Sequence, residues 1–337
     1  MRAVVMRQRR LVVDDVPRPR PGPGEVLART LACGICGSDL HALRHAEAFV
    51  ETERRAGIAR VMDPGGDVIM GHEFCAELVE HGPATRRTLP VGARVCSRPT
   101  LARASGPESI GYSNDNPGGY GEYLRLTEAL LLPVPDGLAT DQAALTEPMA
   151  VGVHAVNKAR LAPRETPLVI GCGPVGLAVI AALRLAGVRP IVAADFSPLR
   201  RDLAAALGAD DVVDPAQASP WSRMRAGAVA FECVGVPGML DATMAAAPRG
   251  SRVVVVGVCM EADTIHPLLG TLKELQLQFV LGYSQEEFAA TLRHIAEGAL
   301  PTRLLITGHV GLDGVAPAFE ALGSPERHAK ILVHPAR

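Results

Sequence analysis

Aromatic residues are scarce in this chain of 337 residues, which holds one Trp, four Tyr and seven Phe. So little ring surface offers no platform for stacking nucleic-acid bases. An excess of either charge is also missing. The 34 Lys and Arg nearly balance the 36 Asp and Glu, for a formal net charge of −2. That balance argues against nucleic acid or an anionic membrane as a partner. No apolar leader opens the sequence, because Arg7, Arg9 and Arg10 interrupt it before a signal segment is complete. The uncharged run Thr166–Leu183 nearly reaches membrane-spanning length. It contains Pro167, Gly171, Gly173, Pro174 and Gly176, and reads instead as strand, tight turn and helix. The seven cysteines are odd in number and follow no framework spacing. They imply free thiols and a reducing compartment, so the cytoplasm is the expected location.

What remains is an ordinary globular composition, 48% hydrophobic and 21% charged, about two domains long. Up to Glu147 the pattern is of short strands, such as Ala3–Met6, Leu11–Val13, Val26–Thr30, Phe74–Val79 and Val91–Cys96, separated by Pro and Gly. The connector from Pro17 to Gly24 holds too many prolines to be helical. After Glu147, strands and helices alternate. Apolar runs at Leu168–Ile170, Ile191–Ala194, Val229–Glu232, Arg252–Val256 and Leu277–Leu281 are interleaved with helical segments at Val175–Leu185, Pro198–Leu207 and Met239–Ala246. Alternation of this kind predicts an α/β fold with a doubly wound parallel sheet. A helix at Gln285–Glu297 and a strand at Lys330–His334 follow, the strand returning to the first domain. The expected division is residues 1–150 with 285–337 as a β-rich catalytic domain, and 151–284 as a dinucleotide-binding domain.

Two constellations carry the chemistry. Gly171-Cys172-Gly173-Pro174-Val175-Gly176 is a G-x-G-x-x-G between an apolar strand and an apolar helix. Asp195 stands 19 residues after Gly176, at the end of the next strand. The first glycine makes the turn, the second admits a pyrophosphate to the backbone, and the third lets the helix pack closely. Phosphates would then meet the unpaired N–H groups of a helix N-terminus. Asp195 would accept hydrogen bonds from ribose hydroxyls and repel a 2′-phosphate, favouring NAD over NADP. Arg200 and Arg201 nearby soften that preference.

The second constellation is Cys36-Gly-Ser38-Asp39-Leu-His41, followed by Gly71-His72-Glu73 and by Glu147-Pro148. A Cys, a His and a Glu are three ligands for a zinc ion with its fourth position open, as catalysis requires. These motifs, with Gly118-Gly-Tyr-Gly-Glu-Tyr123 and the glycine turn, occur in this order in the zinc-dependent medium-chain dehydrogenase superfamily. Along nearly its whole length the chain resembles that superfamily, above all its sorbitol, butanediol and threonine dehydrogenase branch.

The resemblance implies a GroES-like catalytic domain joined to a Rossmann domain, a single catalytic zinc, and NAD as cofactor. Cys36 and His72 are then metal ligands, with Glu73 and Glu147 the candidate carboxylates; which of the two reaches the metal stays open. Asp39 would hold the His72 ring, and Cys33 would be a core thiol. Zinc would polarise the alcohol oxygen and lower its pKa. Ser38 would take the proton and pass it through the cofactor ribose to His41, while hydride goes to the nicotinamide. Val256 and Val258, at a strand end, would place backbone against that ring. The expected substrate is a secondary alcohol or polyol, or the matching ketone, and the expected assembly a homodimer or homotetramer. The alternatives are an NADPH-using carbonyl reductase, the zinc-free quinone or enoyl reductase branch, and a cofactor-binding protein without catalysis.

Two departures stand out. Many relatives carry four closely spaced cysteines for a structural zinc, whereas here no cysteine lies between Cys96 and Cys172. The loop 98–116 is therefore expected at an interface or the cleft rim. The stretch between His41 and Gly71 is also longer than usual. Its run Glu47–Val61, with Phe49, Val50, Gly57 and Val61 on one face, reads as a solvated surface helix; the alternative is a segment lining the substrate pocket or a subunit contact.

Overall fold

A computed structural model describes residues 1–104, 106–324 and 326–336. Two large sheets organise the chain. The second in sequence is six-stranded and wholly parallel, in the order Asp211–Val213, Val192–Ala194, Pro167–Ile170, Val229–Glu232, Arg252–Val255, Gln276–Phe279. Its central strands are apolar along their length because helices cover both faces, as βαβ crossovers require. The order reverses between Val192–Ala194 and Val229–Glu232, around Pro167–Ile170. A crevice opens at that switch point beyond the carboxyl ends of the strands.

The other sheet has seven strands. Ile306–Val310, Lys330–Val333, Glu25–Gly34, Glu73–His81, Arg94–Cys96 and Leu132–Pro133 lie in that order, and Tyr123–Thr127 pairs beside Glu25–Gly34. The last strand of the chain, Lys330–Val333, thus returns to the N-terminal half and pairs with Cys33 and Gly34. Sequence patterning placed most of these elements within a few residues. The strand expected over Val91–Cys96 begins only at Arg94, and Tyr123–Thr127 and Ile306–Val310 are strands beyond those named from the sequence.

Helix Thr146–Ala159 joins the two halves. It packs along Pro174–Leu185, the helix after the glycine turn, and along Gln285–Ala296. At Gly152 the contact is backbone on backbone, since a Cβ there would meet Ala178 C at 2.5 Å. Local chemistry sets the helix starts. Pro174 and Pro198 occupy first-turn positions where no N–H is needed. Ser284 and Glu287 form a reciprocal capping box at the start of Gln285–Ala296.

The insertion after His41 does form a largely exposed surface helix, shorter than the expected run. The helix runs only over Ala46–Arg55, with Ala46 and Val50 buried, and Gly57 leaves it at φ +81°. Gly57 and Val61 therefore do not share its face, while Phe49 packs edge-on to Tyr112 at 5.5 Å. Among the described residues no helix is long and apolar enough to cross a membrane.

Candidate active site

The strand Glu25–Gly34 ends at Cys33-Gly34, and the chain turns into helix Gly37–Arg44 with Cys36 at its N-cap. The neighbouring strand begins at Glu73, so His72 and Glu73 are delivered to the same end of the sheet. There the Cys36 sulfur, a His72 nitrogen and a Glu73 oxygen all lie within 4.8 Å of one another. A thiol, an imidazole and a carboxylate at that spacing form a donor set suited to zinc.

Asp39 organises the cluster from beneath. It is fully buried, and its carboxylate accepts hydrogen bonds from the Tyr120 hydroxyl at 2.6 Å, the Tyr112 hydroxyl at 2.8 Å and the Cys36 amide at 3.1 Å. Oδ1 also lies 3.3 Å from His72 Nδ1. Burial opposes the Asp39 charge, but His72 and the two tyrosines outweigh it and hold the pKa below the usual carboxylate range. Burial likewise opposes a charged His72, yet Asp39 and Cys36 pull its pKa well above the ordinary imidazole value. The pocket therefore favours positive charge at this point.

The two glutamates differ in their surroundings. Glu73 is fully buried and receives Lys330 Nζ at 2.7 Å on both oxygens, so its charge is balanced within the protein. Glu147, at the start of helix Thr146–Ala159, accepts a hydrogen bond from Tyr283 at 2.9 Å, and among the described residues no cationic side chain is bonded to it. Burial first, and the charge of Glu73 after it, push its pKa up to about 7 despite opposing contributions from His72, Tyr283 and Lys330. A buried carboxylate whose charge is felt by His72 and Glu73 would be stabilised by a cation held at that cluster. On this donor chemistry the residues fit a zinc ion.

Ser38 Oγ lies 2.9 Å from the Tyr112 hydroxyl. Tyr112 spends its single proton on Asp39, so Ser38 is the donor of that bond and keeps its lone pairs for an incoming hydroxyl. His41 sits three residues further along the same helix. Burial, then His45 and Arg44, lower its pKa against a weaker opposing pull from Glu261, so the ring is neutral at neutral pH. No direct contact joins Ser38 to His41 in the described structure.

The second constellation assembles around the glycine turn. Gly171 takes φ +85°, and a Cβ on Gly176 would meet the Gly171 carbonyl oxygen at 1.9 Å, so both positions require glycine. Gly173 is the N-cap of Pro174–Leu185, with Val175 in its first turn. Asp195 accepts hydrogen bonds from the Cys172 amide at 2.7 Å and the Ser197 amide at 2.8 Å, which ties it to the turn. Arg200 Nη1 lies 4.0 Å from Asp195 and 3.9 Å from the Cβ position of Gly173, at the mouth of the turn. Val256, buried, and Val258, exposed, follow the end of Arg252–Val255, where Gly257 packs on the Gly235 backbone.

Sequence reasoning gave no role to Lys330, Tyr283, Tyr112 or Tyr120. The last lies inside a quoted motif, and Tyr112 lies in the loop 98–116, which supplies a hydroxyl to the cleft.

Residues 22–136 match the alcohol dehydrogenase GroES-like domain, and residues 174–297 match the zinc-binding dehydrogenase family. The (R,R)-butanediol dehydrogenase of Bacillus subtilis is 34% identical over 97% of both chains. The chain belongs to the zinc-dependent medium-chain dehydrogenase family. This dehydrogenase is also 29% identical to the sorbitol dehydrogenase of Bacillus subtilis, over 100% of its own length and 98% of that chain. The crystal structure of the B. subtilis 2R,3R-butanediol dehydrogenase superposes on it with a TM-score of 0.82, at 31% identity and 99% coverage of both. A protein from Sinorhizobium meliloti 1021, described as a zinc-binding dehydrogenase and bound to NADP, gives 0.82 at 26% identity with the same coverage. The GroES-like and doubly wound architecture read from the sequence is thereby established, and the protein is an oxidoreductase of the zinc-containing alcohol dehydrogenase class.

Proposed function

We propose that this enzyme transfers a hydride between a secondary alcohol or vicinal polyol and NAD, with one catalytic zinc held by Cys36, His72 and a glutamate. The observation that carries the reading is the convergence of Cys36, His72 and Glu73 within 4.8 Å. The butanediol and sorbitol dehydrogenase relatives support the substrate class. On this reading residues 1–150 with 285–337 form the catalytic domain, 151–284 bind the dinucleotide, and seven free thiols suit the cytoplasm.

Bound zinc would supply Lewis acidity that makes the substrate hydroxyl acidic near neutral pH. The protein's own residues do the rest. Asp39 fixes His72 and, through Tyr112, the orientation of Ser38. Ser38 would accept the substrate proton as it releases its own, which would turn from Tyr112 to a ribose hydroxyl of the bound cofactor and on towards His41. His41, neutral at neutral pH, receives the relayed proton nearer solvent. The glycine turn holds the pyrophosphate against the start of Pro174–Leu185. Asp195 selects a free 2′-hydroxyl, which favours NAD. Arg200 at the same mouth is the feature through which NADP would be accepted.

The deciding experiment is Cys36→Ser. Alcohol oxidation should fall by several orders of magnitude and tightly held zinc should be lost, with NADH binding intact. Full activity in that variant would overturn the assignment.

The subunits are expected to pair through the open edge strand Gln276–Phe279, where Phe279 is 64% and Leu281 86% exposed. Exposed apolar side chains beside an unpaired strand edge suit a second copy of the same edge.

A further inference from the structure

A second cluster of metal-binding side chains lies away from the cleft. Asp141 comes from the short helix Thr140–Ala144, His309 from the sheet-edge strand Ile306–Val310, and His334 from the residue after the final strand. Their donor atoms also fall within 4.8 Å of one another. His309 Nδ1 lies 3.2 Å from His334 Nε2. The Asp141 oxygens face one ring each, Oδ2 at 3.5 Å from His309 Nδ1 and Oδ1 at 3.4 Å from His334 Nε2.

The two Asp141 separations bear on whether an ion pair alone explains the cluster, while the 3.2 Å approach of the rings fits a direct N–H···N hydrogen bond as well as two ligands of one ion. A charge-assisted hydrogen bond from imidazolium to carboxylate is about 2.7–2.9 Å long, and both Asp141 distances exceed that. Ligands arranged tetrahedrally at zinc–nitrogen distances of about 2.0–2.1 Å are about 3.3 Å apart along each edge of the tetrahedron. The observed edges bracket that value. The outer shell agrees as well. His334 Nδ1 is 3.1 Å from the Leu31 carbonyl oxygen, a bond in which the ring must donate, so in a neutral His334 the Nε2 atom facing Asp141 and His309 is the one without a proton. Metal-bound histidines are commonly oriented in this way. The backbone holds the pair too, because the His334 amide donates to the Val310 carbonyl at 2.8 Å.

We propose that Asp141, His309 and His334 form a second, peripheral site for a divalent first-row transition metal, zinc in the first instance, with its fourth position open to solvent. The site clasps the last strand and the sheet edge to the helix that leads into Thr146–Ala159. It shares no residue with the catalytic cluster and contains no sulfur, so the two sites are distinguishable by spectroscopy.

Chelator-stripped protein titrated with Co²⁺ tests this directly. Wild type should take up two equivalents, one giving a near-ultraviolet thiolate-to-cobalt charge-transfer band and one giving only visible d–d bands. Cys36→Ser should keep the sulfur-free equivalent. His309→Ala and Asp141→Asn, both at partly exposed positions, should each lose it while keeping the thiolate band and alcohol oxidation. The melting-temperature increase that Co²⁺ gives to Cys36→Ser should vanish when His309→Ala is added. Saturation of wild type at one equivalent overturns the proposal. So does a second equivalent that survives both His309→Ala and Asp141→Asn, which would mark binding to other surface histidines.

Discussion

Lys330 and Glu73 form an ion pair that is wholly buried, with each carboxylate oxygen 2.7 Å from the ammonium. Desolvating two charges costs much of what their attraction returns, so the pair as a whole adds little stability. Removing one partner is different. Lys330→Met should destabilise the protein by about 3–5 kcal/mol, because it strands the Glu73 carboxylate in the core; urea unfolding of the chelated protein measures it. Lys330→Met with Glu73→Gln should recover part of that loss. His41 supports a second expectation at this scale. Burial, His45 and Arg44 hold its pKa down, so alcohol oxidation should persist to lower pH than an ordinary histidine would permit. Arg44→Gln removes one of those contributions, and the acid limb of kcat/KM should move to higher pH. An unmoved limb would remove His41 from the relay.

The same scale shows what the sequence could reveal. Cys36, Ser38, Asp39 and His41 lie within one helical turn or two, so their proximity follows from spacing alone. Gly171, Gly173 and Gly176 likewise act within one turn. Lys330 reaches Glu73 across 257 positions and Tyr283 reaches Glu147 across 136. Such approaches depend on how the final strand and the helix Gln285–Ala296 return to the body, and no local pattern records them. Tyr112 escaped notice for a related reason. Its loop was read for what it lacked, four cysteines, and not for a hydroxyl it could deliver.

Among the elements, helix Gln285–Ala296 shows how one capping group serves two contacts. Glu287 caps its own helix through the Ser284 amide at 2.8 Å and also binds His154 and Asn157 of Thr146–Ala159, each at 2.7 Å. Burial opposes its charge, but the Ser284 amide, Asn157 and His154 outweigh that and lower its pKa below 4.5. A depressed carboxylate pKa stabilises the fold above the ordinary value, and the contribution is lost as pH falls through the lowered one. Glu287→Gln should therefore cost about 1 kcal/mol at pH 7, the typical worth of a cap, and progressively less as pH falls through the lowered pKa. Thermal melts of the two proteins across that range would show the gap closing on acidification. A constant gap would assign the effect to packing instead. In the insertion helix Ala46–Arg55 the charged face is solvated as the sequence suggests, while Ala46 and Val50 are buried on the opposite side and Phe49 packs against Tyr112.

At the scale of the whole molecule, the parallel sheet ends in an edge that the monomer leaves open. Phe279→Lys with Leu281→Asp should convert the assembly to monomers, seen as a drop in sedimentation coefficient, while each subunit retains NADH binding. If the native protein already sediments as a monomer, the edge has some other use. The two sheets were legible in sequence as a change of rhythm near Glu147. The long-range pairing of Lys330–Val333 with Cys33 and Gly34 fitted the expected return of the chain to the first domain.

Gly152 bears on how such enzymes diversify. Helix Thr146–Ala159 carries Glu147 in its first turn, beside the donor cluster, and five residues on, at Gly152, lies directly against the backbone of the helix that begins at the glycine turn. With no side chain between them, the seam holds no compressible layer that could absorb a substitution. Hybrids that graft the nucleotide-binding half of one relative onto the catalytic half of another should then work only when both parents carry small residues at the positions of Gly152 and Ala178. A bulkier graft would lengthen the hydride's path while leaving every donor and every phosphate contact in place.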